Sequence, residues 1–309
     1  MPSSDFHGVI TPLLTPITPD EKVHEPSLRS LVDYQIDNGV SGLWASGTTA
    51  EFASFTESER IASIEIVADQ ASGRVPVIAN ITMPSTALTI ELGRKVVGQV
   101  GAVAATPPYY YPHSQEELKT HYRLISDALG TPVWVYNIPQ MHKTPVAPAT
   151  VADLALEGVV EGIKDSSGEG ELLAELHVLR ASKGFELVST LGTMLRATTG
   201  ATIGAQGIIP GLANAIPAIL SRAWEAGRVG DTETARTCDA QIMAGLKLQT
   251  LGQSGSSVPG SVYSGLKAAL VYMGVIETGH VTAPFMPLTD EERAQIPGIL
   301  KGLGLDAGN

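Results

Sequence analysis

Short apolar runs recur along the chain, and after most of them apolar residues return every three or four positions. The runs are His7–Pro12 (HGVITP), Ser41–Ser46 (SGLWAS), Val75–Asn80 (VPVIAN), Gly101–Thr106 (GAVAAT), Pro132–Asn137 (PVWVYN), Val159–Lys164 (VVEGIK), Phe185–Thr190 (FELVST) and Gly207–Leu212 (GIIPGL). Most are apolar throughout, as expected of parallel strands covered on both faces. The stretches between them carry helix-start and helix-stop signals. TESERIASIEIVADQASG opens with Thr56 and Glu59 at capping-box spacing and closes on Gly73. SQEELKTHYRLISDALG repeats the device with Ser114, Glu117 and Gly130, and PSLRSLVDYQIDNG has Pro26 in its first turn and Gly39 at its end.

Successive strands begin about 20 to 35 residues apart, the length of one strand–helix unit. Eight such units predict a closed (β/α)8 TIM barrel over residues 1–214, with residues 215–309 supplying the closing barrel helix and a C-terminal helical extension. An open doubly wound sheet is the alternative, but no G-x-G-x-x-G turn follows the first strand. The tail, with SVYSGLKAALVYMGV and TDEERAQIPGILKGLGL, reads as a helical appendage and not as a second enzyme domain.

Composition narrows the function classes. Of 309 residues 43% are apolar and only 17% charged, which supplies a substantial core and argues against disorder. The net charge is −12 and no cluster of Lys and Arg stands out, so neither nucleic acid nor an anionic membrane is the expected partner. Cys238 is the single cysteine, which excludes an intrachain disulfide; in its helical context it reads as a structural thiol. The start, MPSSDFHGVI, shows no basic segment followed by an apolar run, and no apolar stretch is long enough to span a bilayer. The expected location is the cytoplasm.

In a barrel the C-terminal strand ends face the active site. Here the second strand runs into SGTTAEF (Thr48, Thr49, Glu51), the fourth into TPPYYYP (Tyr109, Tyr110, Tyr111), the fifth ends at Tyr136 and Asn137, and the sixth ends at Lys164. Of nine lysines, Lys164 is the one at the tip of an apolar strand. An amine whose surroundings disfavour the ammonium form is a nucleophile toward ketones, and the resulting Schiff base serves as an electron sink for C–C chemistry. A neighbouring tyrosine suits the proton transfers, and threonine hydroxyls with backbone N–H groups of the Gly47 turn suit a carboxylate. Taken singly, each has a plainer reading: Lys164 snorkelling or paired with Asp165, Tyr136 as a core ring, GTT as a turn, the tyrosine run as loop packing. The combination on successive strand ends favours chemistry. No metal-binding motif is present, and His113 and His142 read as exposed loop histidines.

This set of motifs, from GVITPLLTP through GTTAEF, PPYYYPHSQEEL, VYNIP, GIKDSSG and GAQGIIPGLAN to GLKAALVYMGV, resembles the dihydrodipicolinate synthase and N-acetylneuraminate lyase superfamily of class I pyruvate-dependent aldolases. The resemblance implies that Lys164 forms the Schiff base with pyruvate or a 2-oxo acid, with no metal or other cofactor. It implies that Tyr136 shuttles the proton, that Thr48 belongs to its relay, and that Thr49 binds the substrate carboxylate. Tyr110 would complete the relay across a subunit interface of a homotetramer, a dimer of dimers. Ile209 would line the pyruvate site.

Three positions depart from the pattern. Met141 stands where the synthases have an arginine for the carboxylate of aspartate semialdehyde, with His142 and Lys143 beyond it. Thr193 and Met194 stand where N-acetylneuraminate lyases have an acidic pair for sugar hydroxyls. Ala50 replaces the usual glycine before Glu51. The expected reaction is therefore reversible cleavage of a 2-keto-3-deoxy sugar acid to pyruvate and an aldehyde, with hydroxyls held by Thr193, Thr198, tyrosine hydroxyls and water. Condensation of pyruvate with aspartate semialdehyde to 4-hydroxy-tetrahydrodipicolinate, and dehydration of a 2-keto-3-deoxy acid, are the alternatives within that chemistry. A non-catalytic barrel that senses a 2-oxo acid is the alternative outside it.

Overall fold

The computed structural model describes residues 6–168, 170–253 and 255–305; residues 1–5, where a targeting segment would begin, lie outside them. Eight strands, β1 (Gly8–Pro12), β2 (Gly42–Ala45), β3 (Val77–Asn80), β4 (Ala102–Ala105), β5 (Val133–Asn137), β6 (Val160–Asp165), β7 (Val188–Leu191) and β8 (Gly207–Ile208), pair in parallel in chain order, and β8 closes on β1. The chain is a TIM barrel. The helices packed around the strands are α1 (Glu25–Asp37), α2 (Glu57–Ala71), α3 (Thr86–Val96), α4 (Gln115–Leu129), α5 (Pro139–His142), α6 (Pro148–Leu156), α7 (Glu171–Lys183) and α8 (Pro217–Val229). The tail adds α9 (Thr232–Gly245), α10 (Lys247–Thr250), α11 (Val258–Tyr272), α12 (Asp290–Arg293) and α13 (Ile296–Gly302).

Strand alternation divides the apolar residues into two cores. Val9, Leu43, Val103, Val135 and Ile163 point outward into the layer shared with the helices. Ile10, Trp44, Ile78, Trp134 and Tyr136 point inward and fill the barrel with Phe6 and Ile209. This double burial is why the strands read as unbroken apolar runs. The interior is aromatic: Trp44 meets Trp134 edge-on at 6.5 Å and Tyr136 at 5.2 Å. Space for it comes from Gly162, opposite Trp134 in the β5–β6 ladder, where a Cβ would lie 2.2 Å from the indole. The two tryptophans form a floor. Tyr136 and Lys164, next to one another in the same ladder, stand at the upper end of the packed interior.

The capping signals are met in different ways. Ser114 and Glu117 form the full reciprocal box at α4, and Gly130 ends that helix in the left-handed conformation. Thr56 caps α2, but the Glu59 carboxylate turns away to accept from the backbone N–H of Val23 at 3.0 Å. Most strands keep within one or two residues of their expected ends, and two depart further. β7 begins at Val188 and not at Phe185, and β8 stops at Ile208, because Pro210 has no N–H to extend the ladder and Gly211 starts a 3-10 turn. Cys238 is buried on α9, with Arg222 Nε at 3.2 Å from its sulfur. Among the described residues no helix is long and apolar enough to cross a membrane.

Candidate active site

Lys164 is 3% exposed, and among the described residues no hydrogen bond or ion pair holds its amine. Asp165, its sequence neighbour, faces the other way and is bound by Asn137 Nδ2 at 2.9 Å and by Ser167. Lys164 Nζ instead lies over two rings, 4.8 Å from Trp44 and 4.5 Å from Tyr136. Aromatic faces compensate an ammonium only in part. Burial therefore depresses the lysine to about 7, from an ordinary 10.5. A large share of the amine is neutral at neutral pH. A neutral amine of this kind can act as a nucleophile, with its desolvation already met by the fold.

Tyr136 presents the complementary group. Its hydroxyl donates to Thr48 Oγ1 at 3.0 Å, and burial pushes it up to about 12, so it holds its proton through the working pH range. Thr48 is placed by a tight turn: Gly47 leads into the 3-10 segment Thr48–Ala50, and Glu51 ends it at φ 62°. A Cβ at Gly47 would lie 2.8 Å from the Trp44 indole, so this turn needs glycine to lie flat on the barrel floor. The left-handed position falls on Glu51 and not on Ala50, which is why alanine is accommodated there. Thr49 reaches toward the loop after β8, where a Cβ at Gly211 would lie 3.4 Å from its hydroxyl. Ile209 is buried among Tyr136 and Trp44.

Two buried cations with no part in the sequence expectations hold this turn. Lys267 on α11 is fully buried; its amine pairs with Glu51 Oε1 at 2.5 Å and donates to the His280 carbonyl at 2.7 Å. The other Glu51 oxygen accepts from the N–H and hydroxyl of Thr282, each at 2.8 Å. The C-terminal helical extension thus carries the clamp on the Thr48–Thr49 turn. Arg60, also buried, donates to Ser46 Oγ and to the carbonyls of Asn80 and Thr82, tying the ends of β2 and β3 together. Burial lowers it to about 10, which leaves it charged. Breaking a buried pair from one side costs about 3 kcal/mol or more. Glu51→Gln is expected to lower stability by about that amount in chemical denaturation, and the double variant Glu51→Gln/Lys267→Met to recover most of it.

Above Thr48 opens a cavity of about 240 Å³. Phe52, Ala53, Ile138, Met141, Pro259 and Phe285 supply its apolar wall, and Glu51, Ser54, Thr106, Tyr109, His142 and Tyr263 its polar points; Thr48 borders it, whereas Lys164 and Tyr136 do not line it. Met141 is 48% exposed at the mouth. His142 differs from the expected exposed loop histidine: it is buried, its Nε2 accepts from the Ile138 N–H at 2.8 Å, and burial holds it neutral at about 4. His113 is half-buried, with its backbone N–H donating to Thr144 Oγ1. Thr193 is not part of the cavity wall; its hydroxyl caps the turn Met194–Arg196 by accepting from Leu195 N. Thr198 donates to the Asp239 carboxylate on α9, away from the cavity. Tyr110 stands outside as well, 70% exposed at φ 93°, with Lys143 Nζ at 3.3 Å from its carbonyl. Among the described residues no group of three or more His, Cys, Asp or Glu side chains could hold a metal ion.

Comparison with known proteins gives the family and the fold. The model of the dihydrodipicolinate synthetase family matches residues 5–303. The chain belongs to that family. Members of the dihydrodipicolinate synthetase family are pyruvate-dependent lyases, and the chain is a lyase of this kind. A 4-hydroxy-tetrahydrodipicolinate synthase of Pelobacter propionicus is 35% identical over 97% of this chain and 99% of its own. The dihydrodipicolinate synthase of Bacteroides thetaiotaomicron superposes with a TM-score of 0.89 at 30% identity, covering 96% of this chain and 98% of that one. An Escherichia coli prophage protein of the family, solved in complex with pyruvate, superposes with a TM-score of 0.87 at 25% identity, covering 97% and 99%.

Proposed function

We propose that the protein joins or splits pyruvate and an aldehyde through a Schiff base on Lys164. The observation that carries the reading is the unpaired, buried amine beside a tyrosine that is itself bound to Thr48. Neutral Nζ adds to the ketone carbon of pyruvate, and loss of water gives the imine. Removal of a methyl proton then gives the enamine that attacks the aldehyde. Tyr136, neutral and linked to Thr48, carries protons to and from these intermediates. Gly47, Thr49 and Ile209 border the place where the pyruvate carboxylate would sit. Tyr110 is 70% exposed and outside the cavity of its own chain, which supports completion of the relay across an interface of a homotetramer; the cytoplasm is the proposed location.

For the second substrate, the names of the relatives favour aspartate semialdehyde, as in a 4-hydroxy-tetrahydrodipicolinate synthase, over a 2-keto-3-deoxy sugar acid. The sugar-acid reading has two of its hydroxyl partners engaged elsewhere, since Thr193 caps a turn and Thr198 donates to Asp239, and keeps the tyrosine hydroxyls of the cavity. Borohydride added with pyruvate is expected to leave a stable adduct on the peptide containing GIKDSSG. Peptide mass mapping checks this, and an adduct on another lysine, or none, defeats the reading.

A further inference from the structure

We infer that Trp44 is a positioning residue of the reaction: one indole beneath the site both keeps water from the Lys164 amine and backs the turn that carries Thr48 and Thr49. This rests on Lys164 acting as the Schiff-base lysine. Trp44 touches each part of the machinery. Its ring lies 4.8 Å from Lys164 Nζ and meets the Tyr136 ring edge-on at 5.2 Å. A Cβ at Gly47 would lie 2.8 Å from both Cδ1 and Nε1 of the indole and 4.0 Å from Cε2, so the N–H edge of the ring faces the turn. Gly47 leads directly into Thr48–Ala50, where Thr48 accepts from the Tyr136 hydroxyl. Trp134 gives the contrast: it shares the floor with Trp44, but it packs on Phe6 at 5.3 Å and against Gly162.

Among the described residues no charged group sets the state of the amine; burial does. On β6, Asp165 turns to Asn137 and Ser167. From β5 comes Tyr136, which keeps its proton, and from β7 comes Thr190, whose hydroxyl donates to the Ile163 carbonyl. In the turn after β2, Glu51 is paired with Lys267. Two rings therefore cover the amine, and they differ in kind. Tyr136 brings a hydroxyl, whereas Trp44 brings a broad apolar face and no acceptor.

Phenylalanine at this position lacks the second ring. The gap it leaves borders an amine and the backbone of the Gly47 turn, which is polar enough to hold a water. Hydration favours the ammonium form, so less of the amine is free to add to pyruvate. The same gap removes the support under the turn, so the groups that border the pyruvate carboxylate lose their fixed height above the floor.

The test follows the rate of borohydride trapping with pyruvate against pH in wild type, Trp44→Phe and Trp134→Phe, together with the pyruvate concentration that gives half the maximal rate. Trp44→Phe is expected to move the midpoint of the profile up by about one pH unit, so that trapping at pH 6 is roughly tenfold slower, and to raise the half-saturating pyruvate severalfold. Trp134→Phe makes the same truncation in the same floor and is expected to leave the midpoint in place. A second arm leaves Trp44 intact: in a Trp134→Phe/Trp224→Phe background its emission is expected to change with the midpoint of trapping. An unchanged or lowered midpoint in Trp44→Phe, an equal rise in Trp134→Phe, or emission blind to the titration overturns the inference while leaving Lys164 in its role. If Trp44→Phe does not fold, the emission arm decides. No trapping in wild type removes the reading on which the inference rests.

Discussion

Lys164→Met is expected to abolish turnover and the borohydride adduct while making the protein more stable. The two effects have one cause. The amine is buried over Trp44 and Tyr136 with no acceptor among the described residues, and the fold depresses it from 10.5 to about 7. That fall corresponds to roughly 5 kcal/mol of stability forgone. Between about pH 7 and 10.5 the unfolded chain binds more protons than the folded one, so wild-type stability rises with pH across that window. The cost is full below pH 7 and gone above 10.5. Methionine fills similar space with no charge to desolvate. Denaturation of Lys164→Met against wild type should thus show a gain of a few kcal/mol at pH 6 that shrinks toward pH 10. A constant difference across that range would mean that the lysine is charged and satisfied. The rate of adduct formation in wild type should fall about tenfold per pH unit below 7, because only the neutral amine adds.

The barrel was legible because each parallel strand is buried on both faces, which leaves apolar runs such as VPVIAN and PVWVYN between capped helices. Lys164 was legible for the opposite reason, as a charge where that pattern leaves no room for one. The same reasoning extends to Lys267, which sits in GLKAALV among residues as apolar as those before Lys164. A buried amine there also needed a partner, and Glu51 is 216 positions away in sequence. Distance along the chain hid the pair. Arg60 was hidden differently: on the polar-looking start of α2 it resembles a solvated charge, and only the folded chain brings Ser46, Asn80 and Thr82 to it. Thr198 shows the converse limit. Its place after β7 suggested the barrel mouth, but the turn carries its hydroxyl out to Asp239. Strand ends are set by pattern, whereas the direction of a loop side chain depends on what packs behind it.

Tyr136→Phe is expected to lower kcat by roughly 10²- to 10⁴-fold, the usual worth of a positioned acid–base group. The change removes the hydroxyl that donates to Thr48 Oγ1 and leaves the ring that packs on Trp44. The fold and the depressed lysine should therefore persist, and borohydride should still trap pyruvate on Lys164, though more slowly. Because burial holds the tyrosine near 12, it acts as a proton donor that recovers its proton, and no loss of activity from its ionisation is expected below about pH 11. Thr48→Val provides the second arm. It keeps the tyrosine hydroxyl but removes its acceptor, so its defect should resemble that of Tyr136→Phe, and the double variant should be little worse than either single one. Full additivity of the two losses would separate the residues into independent roles. Wild-type turnover in Tyr136→Phe would leave its ring as packing alone, and the proton would have to travel through another group at the cavity floor.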